Sequence, residues 1–339
     1  MKKIVLSVIF AATMSALAVS AQDGSGLFVQ ARTMANAGKF KEAAELYRQV
    51  TVQEPKNGLA FTDLAWCQLE LGEYDAALAT ARTAVSLNPG DRAAHNNLGW
   101  ALAQLGRFDD AIAAYKASIR LDPAYHLSRS NLGYAYLRQG RDEEALSEFK
   151  AAIDIAPTFV KPYGNMAQIY FRTGRYADAA EMFEKLVQLE PQKAANFGGL
   201  GAAYMNQGQH LKAVQAFQQL VTLDPKDVQG WKNLGFAQMA AGKQADAIAT
   251  LLQVLEMKPR DFDSLQSLGM AYSQIGRFDD AVTTLKEAVD VKPNSEHAVM
   301  GLAMAYIAKG DRDSARTLLP RLKPLDSDLA AILEKALAK

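Results

Sequence analysis

HLSRSNLGYAYLRQGRDEEALSEFKAAIDIAP, residues 126–157, decides the fold. Leu132, Gly133 and Tyr136 stand at the spacing of one helical face, which predicts a helix ending at Gly140, where a left-handed C-terminal cap favours a residue without Cβ. The chain then restarts helically. Ala145, Leu146, Phe149, Ala152 and Ile153 form a second apolar stripe, and Pro157 stops it because its ring cannot continue the hydrogen-bond ladder. The same frame recurs along the whole chain: eight prolines stand 34 residues apart from Pro55 to Pro293, with glycines in step from Gly38 to Gly310 and alanines from Ala43 to Ala315. A fixed period of that length predicts stacked pairs of helices, A then B, in units beginning at Gly24, Gly58, Arg92, His126, Val160, Ala194, Val228, Phe262 and Glu296.

Within a unit the eighth position is always small (Ala31, Ala65, Gly99, Gly133, Ala167, Gly201, Gly235, Gly269, Ala303), which lets helices A and B approach closely. Aromatic residues at the twenty-fourth position, Tyr47, Tyr115, Phe149, Phe183 and Phe217, are expected to fill the gap to the next unit. One helix pair cannot bury its apolar face alone, so each unit depends on its neighbours. The pattern L-G-x-x-Y followed by G, A, F and P at these offsets resembles the tetratricopeptide repeat, and the resemblance runs from residue 24 to about residue 327. It implies an all-α fold, a right-handed α-solenoid superhelix of nine 34-residue helix-turn-helix repeats over residues 22–325, with the A helices lining a concave groove. Pro320 should shorten or kink the last B helix. Residues 326–339 read as a capping helix, with Ser327 as its N-cap and Leu329, Ile332, Leu333, Ala336 and Leu337 as its apolar stripe.

Residues 1–21 are a different kind of sequence. Lys2 and Lys3 precede an apolar run from Ile4 to Val19, and Val19-Ser20-Ala21 offers the small residues of a cleavage site before Gln22. The run falls short of the ~20 apolar residues that span a bilayer, so the expectation is a signal peptide and an exported chain, periplasmic or secreted, with no integral membrane segment after cleavage. No cysteine near the cut supports a lipid anchor. The lone Cys67 sits where six of the nine units carry alanine, so it reads as a small buried side chain.

Composition and motifs exclude most chemistry. Lys plus Arg and Asp plus Glu both number 37, so the basic footprint of a nucleic-acid binder is missing. His95, His126, His210 and His297 occupy four different repeat positions, with no HExxH or paired cysteines to gather a metal. Gly235 to Gly242-Lys243 only mimics a phosphate loop: the glycines are too far apart, Gln244 replaces the needed hydroxyl, and both glycines are repeat positions. Asp109-Asp110 and Glu143-Glu144 fall in opening turns of B helices, where they suit the helix dipole. The expectation is no catalysis, no cofactor and no metal.

The inner faces of the A helices carry the remaining signal. At the sixth position stand Asn97, Asn131, Asn165 and Asn233, interrupted by Gly199 and preceded by Asp63. A carboxamide both donates and accepts, so it can pair with a peptide unit whatever that peptide's side chains are. The row resembles the asparagine ladder in the superhelical repeats of the O-linked N-acetylglucosamine transferase, which implies a hold on extended polypeptide. At the ninth position stand Trp66, Trp100 and Tyr134, and later Phe236, Met270 and Met304; at the thirteenth, Arg138 and Arg172 add positive charge. The family's carboxylate clamp is not met, since Lys232 is followed by Phe236 four residues on. These residues predict a protein-protein interaction scaffold of the cell envelope that binds an extended or helical polypeptide segment. The alternative is a glycan-handling or assembly factor of an envelope export pathway, because rings and amides also suit sugars.

Overall fold

A computed structural model describes residues 24–338. The expected signal segment lies outside the described residues. The described residues divide into two compact units, one up to residue 166 and one from residue 167, with the boundary inside one helix. In the first unit the helices come as consecutive pairs: α1 (Gly24–Asn36) with α2 (Phe40–Gln53), and α3 (Gly58–Glu70) with α4 (Tyr74–Leu87). The pairs α5 (Arg92–Gln104) with α6 (Phe108–Leu121), and α7 (His126–Arg138) with α8 (Asp142–Ile155), follow. Helix α9 (Val160–Arg172) carries the boundary. The second unit continues with α10 (Tyr176–Leu189), then α11 (Ala194–Asn206) with α12 (His210–Leu223), and α13 (Val228–Ala240) with α14 (Gln244–Met257). It closes with α15 (Phe262–Gln274) and α16 (Phe278–Val291), then α17 (Glu296–Lys309), α18 (Arg312–Thr317), α19 (Leu319–Leu322) and α20 (Ser327–Leu337). All nine A helices begin on the residue that the 34-residue frame selects, and no strand occurs among the described residues.

The turn between A and B is built by the repeating glycine. Gly140 has φ +74°, its N–H donates to the Leu137 carbonyl, and the Arg141 N–H reaches back to Tyr136, so the last carbonyls of α7 are satisfied in a Schellman arrangement. A side chain at φ near +75° is strained, which is why the position does not vary. The B helices then start without a side-chain N-cap at Arg107, Arg141, Arg175 and Arg277. Each of these arginines instead pairs with a carboxylate three residues on: Asp110, Glu144, Asp178 and Asp280. One acidic residue in each of these four opening turns is therefore engaged on the surface.

The core divides the twenty-fourth-position aromatics. Phe183 and Tyr47 reach the next unit as expected, Phe183 against Gly199 and Tyr47 donating to Asp63 at 3.1 Å, whereas Tyr115, Phe149 and Phe217 lie on the small eighth residue of their own unit. A Cβ on Gly99 would stand 2.6 Å from the Tyr115 ring, one on Gly133 2.8 Å from Phe149, and one on Gly201 2.7 Å from Phe217. Tyr115 and Phe217 are 2% exposed and Phe149 is fully buried, so these glycines are the sockets that admit the rings. Where the twenty-fourth residue is the small Ala81, the eighth is Ala65 and no socket is needed. Cys67 is buried as expected, and burial, reinforced by the charges of Asp63 and Glu70, pushes its thiol up to about 12. It is a packing residue.

At the C-terminal end Pro320 acts as expected, since the last B helix is broken into α18 and α19. The N-cap of α20 is Asp326, not Ser327: its carboxylate accepts from the Asp328 and Leu329 N–H groups at 2.9 Å. A carboxylate at that place also meets the positive end of the helix dipole, which a hydroxyl cannot. The buried face is Ala330, Leu333 and Leu337, whereas Ile332 points outward and is 54% exposed. No described helix is long and apolar enough to cross a membrane.

Candidate functional site

A cleft of about 630 Å³ opens in the first unit along the A helices α3, α5, α7 and the start of α9. It gathers six of the ten residues that the sequence selects: Trp66, Asn97, Trp100, Asn131, Tyr134 and Asn165. Repetition explains the gathering, because a residue at a fixed position of successive A helices recurs on the same wall. Arg138 does not line the cleft; its guanidinium donates to the Tyr134 hydroxyl at 3.1 Å and lies 5.3 Å from the Phe108 ring centre. Arg172, Asn233 and Phe236 belong to the second unit. Arg172 is exposed there, Asn233 accepts from Gln229 Nε2 at 2.9 Å, and Phe236 packs on that unit's core.

The asparagine row is partly spent on the fold itself. Asn97 is buried and its Nδ2 donates to the Thr62 carbonyl of α3 at 3.0 Å. Asn131 Nδ2 donates at 2.9 Å to Oδ1 of Asn96, which also accepts from the Ser128 hydroxyl at 3.0 Å. These amides staple α5 to α3 and α7 to α5, satisfying polar groups between helices that water cannot reach. Asn165 makes no hydrogen bond among the described residues, and neither do Trp100 Nε1, Ser130 Oγ or Lys161 Nζ. The wall thus has a saturated floor and unsaturated donors and acceptors above it.

Two aromatic residues in the lining escape the helical pattern. Tyr125 and Phe159 occupy the residue just before an A helix, the place where Asn57, Asp91, Asp227, Asp261 and Ser295 cap α3, α5, α13, α15 and α17. Helix α7 consequently starts with no side-chain cap. Giving up such a cap costs about 1 kcal/mol, and here the exchange adds a ring to the lining that Trp66, Trp100 and Tyr134 share. His126 stands against both rings, 6.5 Å from Tyr125 and 5.0 Å from Phe159 between centres. The readable signal was the departure from Asn, Asp or Ser at the unit's final position; it belongs to no apolar stripe, so periodicity passes over it.

Charge in the lining is unevenly placed. Asp63 and Glu70 come from α3, and Lys161 from α9 at the far end. Burial pushes the Asp63 carboxyl up, offset only in part by the hydroxyl of Tyr47, which donates to it at 3.1 Å, and by the charge of Arg32. In the second unit a smaller cleft of about 350 Å³ lies between α15, α17 and α20, lined by Met270, Met300 and Met304 with His297 and Leu329. The ninth-position methionines meet there as a separate surface.

The model for the family described as tetratricopeptide repeat matches residues 28–92 and 62–126, and the one described as cilia and flagella-associated protein 70 C-terminal domain matches residues 126–325. Among solved structures, the chain is similar to the C-terminal part of a TPR repeat-containing protein from Cytophaga hutchinsonii, with 19% identity and TM-score 0.59 over 71% of this chain and 99% of that one. It is also similar to PilW, a type IV pilus biogenesis factor, with 22% identity and TM-score 0.55 over 62% and 96%. YrrB, described as a TPR protein with an unusual peptide-binding site, matches with 21% identity and TM-score 0.51 over 56% and 97%. At these identities the likeness is one of fold. No curated protein matches.

Proposed function

The chain belongs to the tetratricopeptide repeat family, its residues 126–325 matching the model of the cilia and flagella-associated protein 70 C-terminal domain, and from that premise we propose that it is a non-catalytic scaffold holding an extended polypeptide segment in the cleft of its first unit. The observation that carries this reading is the exchange of caps for rings. Tyr125 and Phe159 sacrifice local helix stability for aromatic surface on the wall that Trp66, Trp100 and Tyr134 already occupy. His126 packs on both rings and the Arg92 guanidinium lies 4.9 Å from the centre of the Tyr125 ring, which returns part of the loss to the fold; departures from a local rule are expected at sites of function. Rings supply contact area at low entropic cost, and the unsaturated amide of Asn165 and indole N–H of Trp100 suit the main chain of an extended segment.

Replacing Trp100, Asn131 and Tyr134 together by alanine tests the reading. Asn131 spends its Nδ2 on Asn96, so this variant is compared with Trp100→Ala alone, which touches no internal hydrogen bond. The expected result is loss of at least about a hundredfold in affinity for captured polypeptide in the triple variant, with circular dichroism unchanged in the single one. Undiminished capture by both would refute the site. Trp66 and Trp100 also report directly, because both indoles face the cleft. Titration with peptide should change their fluorescence saturably and titration with oligosaccharides should not; the reverse outcome would move the reading to a glycan ligand.

We also infer export to the cell envelope, supported by Lys2-Lys3, the apolar run and Val19-Ser20-Ala21. N-terminal sequencing of the protein isolated from its own cells is expected to start at Gln22. A chain starting at Met1 would end that inference.

A further inference from the structure

The α3 end of the cleft holds two carboxylates that close no ion pair among the described residues; Arg32 is near enough to ease the charge of Asp63 but does not bond it. Asp63 accepts only the Tyr47 hydroxyl, and Glu70 accepts Trp66 Nε1 at 3.1 Å. Most arginines of the first unit are engaged elsewhere, Arg48 with Glu73, Arg92 with Asp122, and Arg107 with Asp110. Asp63 is the more telling of the two. It is half-buried and burial penalises its charged form by more than the Tyr47 hydroxyl and the charge of Arg32 give back, so a cation arriving in the cleft would add the direct ion pair it lacks.

The surroundings select the kind of cation. Trp66 and Trp100 stand one unit apart on the same wall, and indole faces attract ammonium and guanidinium groups while packing on the methylenes that carry them. An acidic side chain at this end would face two unpaired carboxylates. The one lysine of the lining, Lys161, lies at the opposite end on α9 and cannot serve Asp63. Charge complementarity therefore runs along the cleft in one direction.

We infer that the polypeptide segment held in the cleft presents a lysine or arginine side chain to the Trp66 and Trp100 end, against Asp63 and Glu70. This rests on the polypeptide reading and adds to it the chemistry of the anchoring residue. It is the opposite of a site that clamps a terminal carboxylate, for which the residues are missing here.

The test uses the full chain and three pools of labelled nonapeptides, random except for one fixed central residue: lysine, its uncharged isostere norleucine, or glutamate. Binding is followed by fluorescence anisotropy for the wild-type chain and for the double variant Asp63→Asn/Glu70→Gln. Both substitutions keep an acceptor oxygen for Tyr47 and Trp66, and circular dichroism checks the fold. The lysine pool should bind the wild-type chain about tenfold more tightly than the norleucine pool, equivalent to ~1.4 kcal/mol, with the glutamate pool weakest. In the double variant that ratio should fall below about twofold. Equal binding of the lysine and norleucine pools to wild type, or a ratio that survives in the variant, overturns the cationic anchor and leaves the polypeptide reading intact. Binding of no pool at all overturns both.

Discussion

A chain ending at Leu325 should lose about 4–6 kcal/mol of stability in its terminal repeat and self-associate, because it lacks the buried face of α20. Leu333 is fully buried, Ala330 is 1% exposed and Leu337 8% exposed, all within one cluster with Val299, Leu302 and Leu322. Two leucines at ~1.5–3 kcal/mol each account for most of the loss, and the helix's surface pair Lys323 with Glu334 adds little. In an array whose units are held by their neighbours, the deficit falls first on α17 to α19, so chemical denaturation should show an early helical step absent from the full chain. Point variants separate capping from docking. Leu333→Lys should reproduce the early step, while Ile332→Lys, on the exposed face, should leave the midpoint within about 0.5 kcal/mol. A soluble truncated chain with a single unshifted transition would show that α20 caps nothing.

How far the sequence could be read follows from what periodicity measures. A repeat fixes which residue begins each helix, and every A helix starts where the frame puts it. It also fixes which positions share a wall, so Trp66, Trp100 and Tyr134 read as one row from their spacing alone, and all three line the cleft. It does not fix whether a polar group on that wall is already satisfied. Asn97 and Asn165 occupy equivalent positions, yet the first is consumed by the Thr62 carbonyl and the second makes no hydrogen bond among the described residues, a difference set by the packing between helices and not by the repeat. Nor does it register residues that lie between stripes. Tyr125 and Phe159 sit at cap positions, where the sequence shows an absence of Asn, Asp or Ser and no apolar rhythm. The cap of α20 fails for a related reason: Asp326 and Ser327 are both competent caps, and the choice depends on backbone geometry one residue wide.

The missing rung at Gly199 gives the sharpest separation between a rule read from the row and the packing that overrides it. By the row alone, Gly199→Asn restores the residue of Asn97, Asn131, Asn165 and Asn233 and should be harmless; leaving glycine in a helix interior even forfeits a few tenths of a kcal/mol. The structure reverses the sign. The ring of Phe183, from α10, occupies the space a Cβ on Gly199 would need, and it packs there against the core shared by α11 and α12. Where the eighth residue is glycine, at Gly99, Gly133, Gly201, Gly235 and Gly269, the twenty-fourth side chain seats on it, but in the unit of Phe183 that residue is Ala167, and the ring meets Gly199 instead. Overpacking of this kind costs about 1–3 kcal/mol before the amide is placed, several times the helical gain, so Gly199→Asn should destabilise the second unit by about 2–4 kcal/mol. Phe183→Ala removes the obstacle at its own cost of about 2–3 kcal/mol, and the double variant should fall well short of the sum, with a coupling of at least about 1 kcal/mol in a denaturation cycle. Strict additivity would mean that Phe183 does not hold Gly199 in place, and that the break in the row needs a cause other than this ring.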